Sequence, residues 1–273
     1  MPARPSDPAV PVPHLPGDTA PAHRDRLLDR LTAQAPDAAP ALSMIRQEIA
    51  GLSGEAHRRH IDTHLVRFLL TYMMAPQGPG RVVDIGGPSI HNVPLERLKQ
   101  WRFDTVEILA IDYERDPLPF ETASCDGVLL CEVIEHFVID PLFCLHEVNR
   151  ILRPGGFLLI TTPNAASWFA IFQALAQRHP SRWPVYSGTP EKARHHIHAR
   201  EYLVSDLSAL VEAAGFRPTS VQTSDYGIAP EYQPIPGFPT EHRGETIFLC
   251  ATKLGPPLKR FTPPLYVEDV PAG

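Results

Sequence analysis

The chain has 273 residues, which is enough for one sizeable α/β domain with additional elements or for two small domains. Its formal net charge of −6 and its pI near 6.1 argue against a nucleic-acid partner, because such a partner usually requires a basic protein face. No apolar run approaches the roughly 20 residues that span a membrane, and the N-terminus has no apolar secretory core, so we expect a cytoplasmic protein without a membrane partner.

Proline content and hydrophobic periodicity divide the chain into four segments. Residues 1–40 contain nine prolines, and we expect this arm to be mostly disordered. Residues 41–78 are predicted to form an N-terminal helical cap. Residues 79–254 are predicted to form the main domain, with a lid insertion at about residues 165–200. Residues 255–273 are predicted to be a second proline-rich tail.

Helical periodicity is strongest in the cap. A first helix around Leu42 is interrupted by nearby glycines, and a stronger helix is predicted over residues 55–74. A short helix over residues 24–34 of the arm is a further option. Three histidines lie on the longer helix, where we expect solvated edge positions, with substrate contact as the alternative: His57, His60 and His64.

From Arg81 onward, predicted strands and helices alternate, which indicates a mostly parallel sheet. The strands are predicted at residues 81–85, within 105–112, and at 127–131, 156–161, 217–223 and 246–253. The last of these suits a closing antiparallel strand. Helices are predicted near residues 94–101, 140–152, 166–178 and 204–214.

A glycine turn follows the first predicted strand, in Asp84-Ile85-Gly86-Gly87. Glycine is needed where the backbone bends sharply or lets a ligand approach closely. An acidic residue after the second strand can pair with ribose hydroxyls, because a carboxylate accepts two hydrogen bonds. Asp112 is the favoured acid, although it lies 28 positions beyond Asp84 where about 20 is customary. A long first crossover would explain this spacing; alternatively, Asp104 or Glu107 ends the second strand and Asp112 belongs to a third.

A polar run follows the apolar strand at residues 127–131. It reads Glu132-Val-Ile-Glu135-His136-Phe137, and the next helix begins at Asp140-Pro141, a capping residue followed by proline at the first helical position. In an open α/β sheet, ligands bind at the carboxyl ends of the strands. The run is therefore predicted to face a ligand.

These motifs, in this order and spacing, closely resemble a class I S-adenosylmethionine-dependent methyltransferase over about residues 81–164. The resemblance resumes weakly at Arg200-Glu201-Tyr202 and extends to residue 216. It implies an α/β fold with a Rossmann-like, mostly parallel seven-stranded sheet, helices on both faces and an N-terminal helical cap over the substrate pocket. It also implies S-adenosyl-L-methionine as the cofactor.

The resemblance implies a set of cofactor-binding residues: Asp84, Gly86, Gly87, Asp112, Leu118, Phe120, Cys131 and Glu132. For Leu118 and Phe120, plain loop packing is an equal alternative to adenine contact. The glycine turn departs from the class pattern, roughly acidic-x-Gly-x-Gly-x-Gly, because Pro88 and Ile90 occupy the second and third glycine positions. The departure indicates either a re-routed loop that still binds the cofactor or a decayed site.

The chemistry of methyl transfer from a sulfonium requires alignment of the acceptor and exclusion of water. A hydroxyl acceptor also requires a base, and His136 with Glu135 is the predicted catalytic pair. The alternative is that these two residues only cap and brace the next helix. Four residues of the lid and its exit are predicted to contact the substrate: His196, His198, Arg200 and Tyr202. We expect no metal, because the spacing around residues 195–198 includes no nearby carboxylate or cysteine ligand.

The favoured function is therefore methyl transfer to a small-molecule acceptor, with oxygen as the expected accepting atom. A non-catalytic methyltransferase-like binding module is the alternative, motivated by the two missing glycines and the proline-rich tails. An NAD-dependent oxidoreductase is least favoured, because it predicts a GxGxxG turn that the sequence lacks. The sequence does not identify the acceptor or the oligomeric state.

Overall fold

A computed structural model describes residues 20–107, 110–188, 197–227 and 232–257. The helices are α1 (Ala20–Thr32), α2 (Ala38–Gly51), α3 (Glu55–Asp62), α4 (Leu65–Met74), α5 (Asn92–Lys99), α6 (Pro141–Ile151), α7 (Trp168–Leu175) and α8 (Val204–Ala213). The strands are β1 (Gly80–Ile85), β2 (Trp101–Val106), β3 (Cys125–Cys131), β4 (Leu152–Pro163), β5 (Phe216–Ser224) and β6 (Thr246–Lys253). A short 3-10 turn, Ile134–His136, follows β3.

The strands form one sheet in the order β2-β1-β3-β4-β6-β5. Strands β1 to β4 are parallel, and β6 runs antiparallel to both β4 and β5. The predicted Rossmann-like, mostly parallel sheet with a closing antiparallel strand is confirmed. Within the described residues the sheet has six strands and not seven. Residues 110–124 form turns after β2, and Pro117 and Pro119 in this segment cannot donate ladder hydrogen bonds.

The second strand begins earlier in the chain than predicted. It starts at Trp101, whereas the sequence pattern placed it within residues 105–112. The buried indole of Trp101 donates a hydrogen bond to the carbonyl of Pro76 at 2.9 Å. At the end of α5, the Lys99 ammonium donates to backbone carbonyls at the end of α4. These contacts fix where the helix ends and the strand begins, and hydrophobic periodicity does not report them.

Helix α1 lies within the proline-rich arm, where a short helix over residues 24–34 was an option, and it packs with the helices of the predicted cap. Leu27, Leu28 and Leu31 are buried in the same hydrophobic cluster as the apolar residues of α2 and α4. Burial of this stripe stabilises the helix despite the local proline content. Pro40 lies in the first turn of α2, where its missing amide costs no helical hydrogen bond. The predicted disorder of residues 1–19 and 258–273 concerns positions outside the described residues.

The single helix predicted over residues 55–74 is two helices, with a break at Thr63 and His64. None of the residues of α3 is buried, whereas seven of the ten residues of α4 are buried. The break turns the His64 ring inward, where it is only 7% exposed. The prediction that His64 is a solvated edge residue was therefore wrong, while His57 and His60 are exposed.

Two hydrophobic clusters cover the two faces of the sheet. Val83 of β1 and Val128 of β3 belong to the cluster that includes α6 and α8. Their strand neighbours Val82 and Leu129 belong to the cluster formed with α1, α2, α4 and α5. Because successive side chains of a strand point to opposite faces, helices pack on both faces, as predicted. None of the helices in the described residues is long and apolar enough to cross a membrane.

Candidate active site

The candidate site lies where the carboxyl ends of β1, β3 and β4 meet. Ile85 of β1 pairs with Leu130 of β3, and Cys131 of β3 pairs with Thr161 of β4. The residues that follow these strands are consequently neighbours in space. This is the edge at which an open parallel sheet binds its ligands.

The Asp84 carboxylate holds the glycine turn through hydrogen bonds to residues that follow it. Its Oδ2 atom accepts hydrogen bonds from the Ser89 amide at 3.0 Å and from the Asn92 side-chain amide at 2.7 Å. The carboxyl is fully buried, and burial raises its pKa to about 6, although the hydrogen bonds from Asn92 and Ser89 oppose that shift. Its Oδ1 atom has no hydrogen-bond partner in the described residues. The turn is therefore re-routed around the carboxylate.

The two glycines of the turn are required for different reasons. Gly86 has a φ of 86°, which favours glycine, and a Cβ atom there would meet the Val133 side chain at 2.6 Å. A Cβ atom on Gly87 would lie 2.0 Å from Oδ2 of Asp84. Pro88 is exposed, and Ile90 packs against the hydrophobic cluster of the N-terminal helices.

Two acids lie near the carboxyl end of β2. Glu107 directly follows the strand and lies 23 positions beyond Asp84, close to the customary spacing. Asp112 lies in a turn, where its Oδ1 atom accepts the Glu114 amide at 3.1 Å. The Tyr113 hydroxyl holds this turn to the end of β2, 2.7 Å from the carbonyl oxygen of Glu107. The structure thus brings both alternatives to this edge, and the assignment of the ribose acid stays a prediction.

Leu118 and Phe120 have contacts that favour loop packing. Leu118 is buried in the core, and its amide donates to the Glu147 carboxylate at 2.9 Å. The Phe120 ring lies 5.4 Å from the guanidinium of Arg81, in the first half of β1. Adenine contact by either residue stays a prediction.

Glu132 is held by the neighbouring strand and by a tyrosine. Its φ of 56° bends the chain at the end of β3, and its amide donates to the carbonyl of Thr161 at 2.8 Å. Its carboxylate accepts from the Thr161 hydroxyl at 2.9 Å and from the Tyr226 hydroxyl at 3.3 Å. The preceding Cys131 has a raised thiol pKa because it is buried, so the thiol stays protonated.

Glu135 is fully buried in the 3-10 turn. Its Oε2 atom accepts from the Thr162 hydroxyl at 3.0 Å, and its Oε1 atom has no hydrogen-bond partner in the described residues. Burial, and then the charge of Glu132, raise the pKa of this carboxyl well above its usual value. A buried carboxylate beside a second one is energetically costly unless a proton or a cation neutralises it.

His136 and His198 meet edge to face beside Glu135, with ring centroids 4.9 Å apart. The Nδ1 atom of His136 lies 2.7 Å from the carbonyl oxygen of Ile197. A carbonyl only accepts, so Nδ1 carries the hydrogen and Nε2 carries the lone pair of the neutral ring. Burial lowers the pKa of His198 to about 3, so that ring is neutral at pH 7.

The ligand atoms of Glu135, His136 and His198 lie within 4.8 Å of one another. Glu135 supplies the carboxylate that the sequence around residues 195–198 does not show, so the expectation of no metal loses its basis. The carboxylate comes from a turn more than 60 residues earlier in the chain, which spacing alone does not reveal.

Arg200 and Tyr202, also predicted to contact the substrate, form hydrogen bonds with the 3-10 turn. The Arg200 amide donates to the carbonyl of Glu135 at 3.1 Å. Tyr202 is buried, with its hydroxyl donating to the carbonyl of Ile134 at 3.3 Å. His196 lies outside the described residues. Substrate contact by these residues stays a prediction.

An aromatic wall, formed by His64, Trp183 and Tyr226, stands beside the cluster. The His64 and Trp183 rings are stacked with centroids 6.0 Å apart, and the Tyr226 ring lies 5.5 Å from His64. Trp183 also reaches His198 at 5.6 Å. Burial lowers the pKa of His64 to about 2. Sequence patterns did not indicate Trp183 or Tyr226, since neither belongs to a motif.

Comparison with known proteins is consistent with this geometry. Residues 55–221 match the family described as methyltransferase domain. A protein of Mycolicibacterium smegmatis named "Probable S-adenosylmethionine-dependent methyltransferase" is 35% identical over 99 residues, covering 36% of this chain and 31% of the relative. The "Ubiquinone biosynthesis O-methyltransferase" of Dinoroseobacter shibae is 30% identical over 131 residues, covering 46% of this chain and 48% of the relative. A solved "SAM-dependent methyltransferase" of Thermotoga maritima has a TM-score of 0.47 at 22% identity, covering 72% of this chain and 94% of that one.

The family match covers more than half of the chain, so the chain belongs to the methyltransferase domain family. Its resemblance to class I S-adenosylmethionine-dependent methyltransferases is confirmed, and S-adenosyl-L-methionine is the cofactor that this family implies. The chain matches less than half the length of each curated relative named above. Substrates and partners therefore do not follow from the similarity.

Proposed function

We propose that this protein transfers a methyl group from S-adenosyl-L-methionine to a hydroxyl oxygen of a small-molecule acceptor. The observation that carries the proposal is the meeting of a glycine turn and a partly buried cluster of Glu135, His136 and His198 at one edge of the sheet. The bound cofactor supplies an activated methyl group. The residues of the chain bind and orient the cofactor and the acceptor, exclude water from the site and remove the acceptor proton.

The glycine turn fits a bound nucleoside. The two residues that depart from the class pattern do not pack into the turn, since Pro88 is exposed and Ile90 packs on the cap. The unpartnered Oδ1 atom of Asp84 is an orphaned acceptor at the same turn. Glu107 or Asp112 then supplies the carboxylate for the ribose.

The acceptor proton is removed by the buried cluster. His136 presents its Nε2 lone pair because its Nδ1 hydrogen is directed at Ile197, and a neutral imidazole is a suitable general base. Glu135 stabilises the imidazolium that forms. Burial of Glu135 limits the access of water to this part of the site.

The aromatic wall supports a flat, ring-bearing acceptor. Rings stack on rings in offset or edge-to-face arrangements. His64 and Tyr226 are buried and Trp183 is half-buried, so Trp183 is the ring of this wall that we expect to contact the acceptor. The D. shibae relative is named as an O-methyltransferase of ubiquinone biosynthesis, which is consistent with methylation of a ring hydroxyl.

The cofactor proposal is tested by isothermal titration of the purified protein with S-adenosylhomocysteine. The wild type is expected to bind, and Asp84→Ala is expected to abolish binding, because the turn loses the carboxylate that closes it. Asp104→Ala, at a part-exposed ion pair on β2, is the matched control and should keep wild-type affinity. No binding by the wild type at millimolar ligand would refute the proposal and favour the non-catalytic binding module.

The O-methylation proposal is tested with isotopically labelled cofactor and a panel of phenols, catechols and hydroquinones. His136→Ala is expected to lower the rate of methyl transfer by about 10²- to 10⁴-fold, the usual contribution of a general base. His57→Ala, at an exposed position in α3, is the control. Transfer to amine or thiol analogues with none to hydroxyls would contradict oxygen as the accepting atom.

A further inference from the structure

Three metal-ligating side chains from distant parts of the chain meet at one point. Glu135 and His136 lie in the 3-10 turn after β3, and His198 lies in the segment that returns over this turn. Their ligand atoms are within 4.8 Å of one another. One carboxylate and two imidazoles form a donor set that suits Zn²⁺ and related divalent transition metal ions.

The hydrogen bonds around the cluster already orient these donors. Metal-binding histidines typically donate their other ring N–H to a backbone carbonyl or carboxylate, and His136 does so to Ile197 at 2.7 Å. Thr162 holds one oxygen of Glu135 at 3.0 Å. Within the described residues, Oε1 of Glu135 is then the carboxylate oxygen that no hydrogen bond holds.

Two buried polar atoms in the cluster have no hydrogen-bond partner among the residues that the structure describes. They are Oε1 of Glu135, whose side chain is fully buried, and Nδ1 of His198. Buried polar atoms are normally satisfied, so this pair requires an explanation. Within the described part of the chain, no arginine or lysine forms an ion pair with Glu135, and the adjacent Glu132 carboxylate adds negative charge. A cation at this point would satisfy both atoms and offset that charge.

We propose that Glu135, His136 and His198 bind a divalent transition metal ion of the class that Zn²⁺ represents. Three protein ligands leave a coordination position open, as in catalytic zinc sites and unlike closed structural ones. If the proposed function holds, the open position would take the acceptor oxygen, and the ion would lower the pKa of that hydroxyl so that its proton leaves to solvent. His136 would then act as a ligand of the ion and not as the free base.

The test uses the full chain without a histidine tag, stripped with a chelator and titrated with ZnCl₂ by calorimetry. One ion per chain is expected, and CoCl₂ is expected to give the visible absorption of low-coordinate nitrogen and oxygen ligation. His198→Ala and Glu135→Gln are each expected to weaken zinc binding by more than about 100-fold, because even partners one shell further out cost about 10- to 100-fold. His57→Ala, an exposed histidine, is the matched control and should bind like the wild type.

Absence of saturable zinc binding by the wild type, or wild-type affinity in both ligand variants, would overturn the site. Tighter binding of MgCl₂ than of ZnCl₂ would contradict the metal class. Thermal melting checks that the variants fold. If a variant does not fold, the cobalt spectrum of the wild type still reports the ligand set.

Titration of the same samples with S-adenosylhomocysteine separates the two proposals. Cofactor binding without zinc binding refutes the metal site alone, and zinc binding without cofactor binding refutes the methyltransferase proposal alone.

Discussion

Gly87 is constrained by a contact that the class motif does not contain. Its hydrogen faces Oδ2 of Asp84, the same atom that accepts hydrogen bonds from Ser89 and Asn92. The sequence showed that two motif glycines were replaced, but not how the turn is then held. In the structure, a buried carboxylate and its two donors fix the loop.

Replacement of Gly87 by alanine is expected to lower both stability and cofactor affinity. The new Cβ atom would lie 2.0 Å from Oδ2 of Asp84, so the carboxylate must move and lose its hydrogen bonds, at a cost of about 2 kcal/mol or more in the free energy of unfolding. Urea denaturation and titration with S-adenosylhomocysteine measure the two effects.

Gly51→Ala is the matched control for this substitution. Gly51 ends α2, and a Cβ atom there meets nothing within 4 Å. The control should leave cofactor affinity unchanged and raise stability by up to about 1 kcal/mol, because alanine restricts the unfolded chain. Equal effects of the two substitutions would contradict the steric argument.

The sequence predicted the polar residues that follow β3 better than it predicted the residues that contact them. Glu132, Glu135 and His136 were found from their position after an apolar strand, and they do lie at the carboxyl edge of the sheet. His64 was misjudged because its burial depends on a helix break and on Trp183, more than 100 residues away. Nothing local in the sequence encodes that contact.

At the scale of elements, α1 shows how packing overrides composition. The proline-rich arm was expected to be mostly disordered, with a short helix over residues 24–34 as an option, and Leu27, Leu28 and Leu31 form an apolar stripe that α2 and α4 bury. Most helical stability in proteins comes from such packing of one face, and not from the propensity of the segment.

Leu28→Ala is expected to destabilise the whole protein by about 2 to 4 kcal/mol, because a buried leucine is replaced by a cavity. Arg30→Ala, at an exposed position of the same helix, should change stability by less than about 0.5 kcal/mol. Both values come from urea denaturation. A Leu28→Ala protein as stable as the wild type would show that α1 is not packed on the domain.

At the scale of the whole molecule, buried ionisable groups between the cap and the sheet link stability to pH. His91 is fully buried, neither ring nitrogen has a hydrogen-bond partner in the described residues, and burial, with the charge of Arg67, lowers its pKa from 6.5 to about 3. As pH falls below 6.5, the unfolded chain binds this proton and the folded protein does not. The stability that the neutral ring contributes is then progressively lost.

His91→Leu removes this titrating group, so the loss is expected to appear as a change with pH in the stability difference between the variant and the wild type. Between pH 7 and pH 5, the free energy of unfolding of the variant minus that of the wild type should rise by about 2 kcal/mol. Asp84, whose pKa is raised to about 6, acts in the opposite direction in the same range, but it is present in both proteins and cancels.

Leu98→Ala, a half-buried and non-titrating position on the same helix, is the control for the pH series. Its difference from the wild type should be constant with pH. A constant difference for His91→Leu as well would mean that the ring is not held neutral in the folded protein.

Residue order along the chain is enough to predict the class of fold and the edge of the sheet at which the candidate site lies. Strands alternate with helices, and glycine, acidic and histidine residues directly follow apolar runs, so local order places them at the carboxyl ends of parallel strands. Which distant groups join them is set by the packed fold. The meeting of His198 with Glu135 and the seating of His64 against Trp183 depend on chain segments that return from far along the sequence, and their geometry is set by packing between elements and not by periodicity within one.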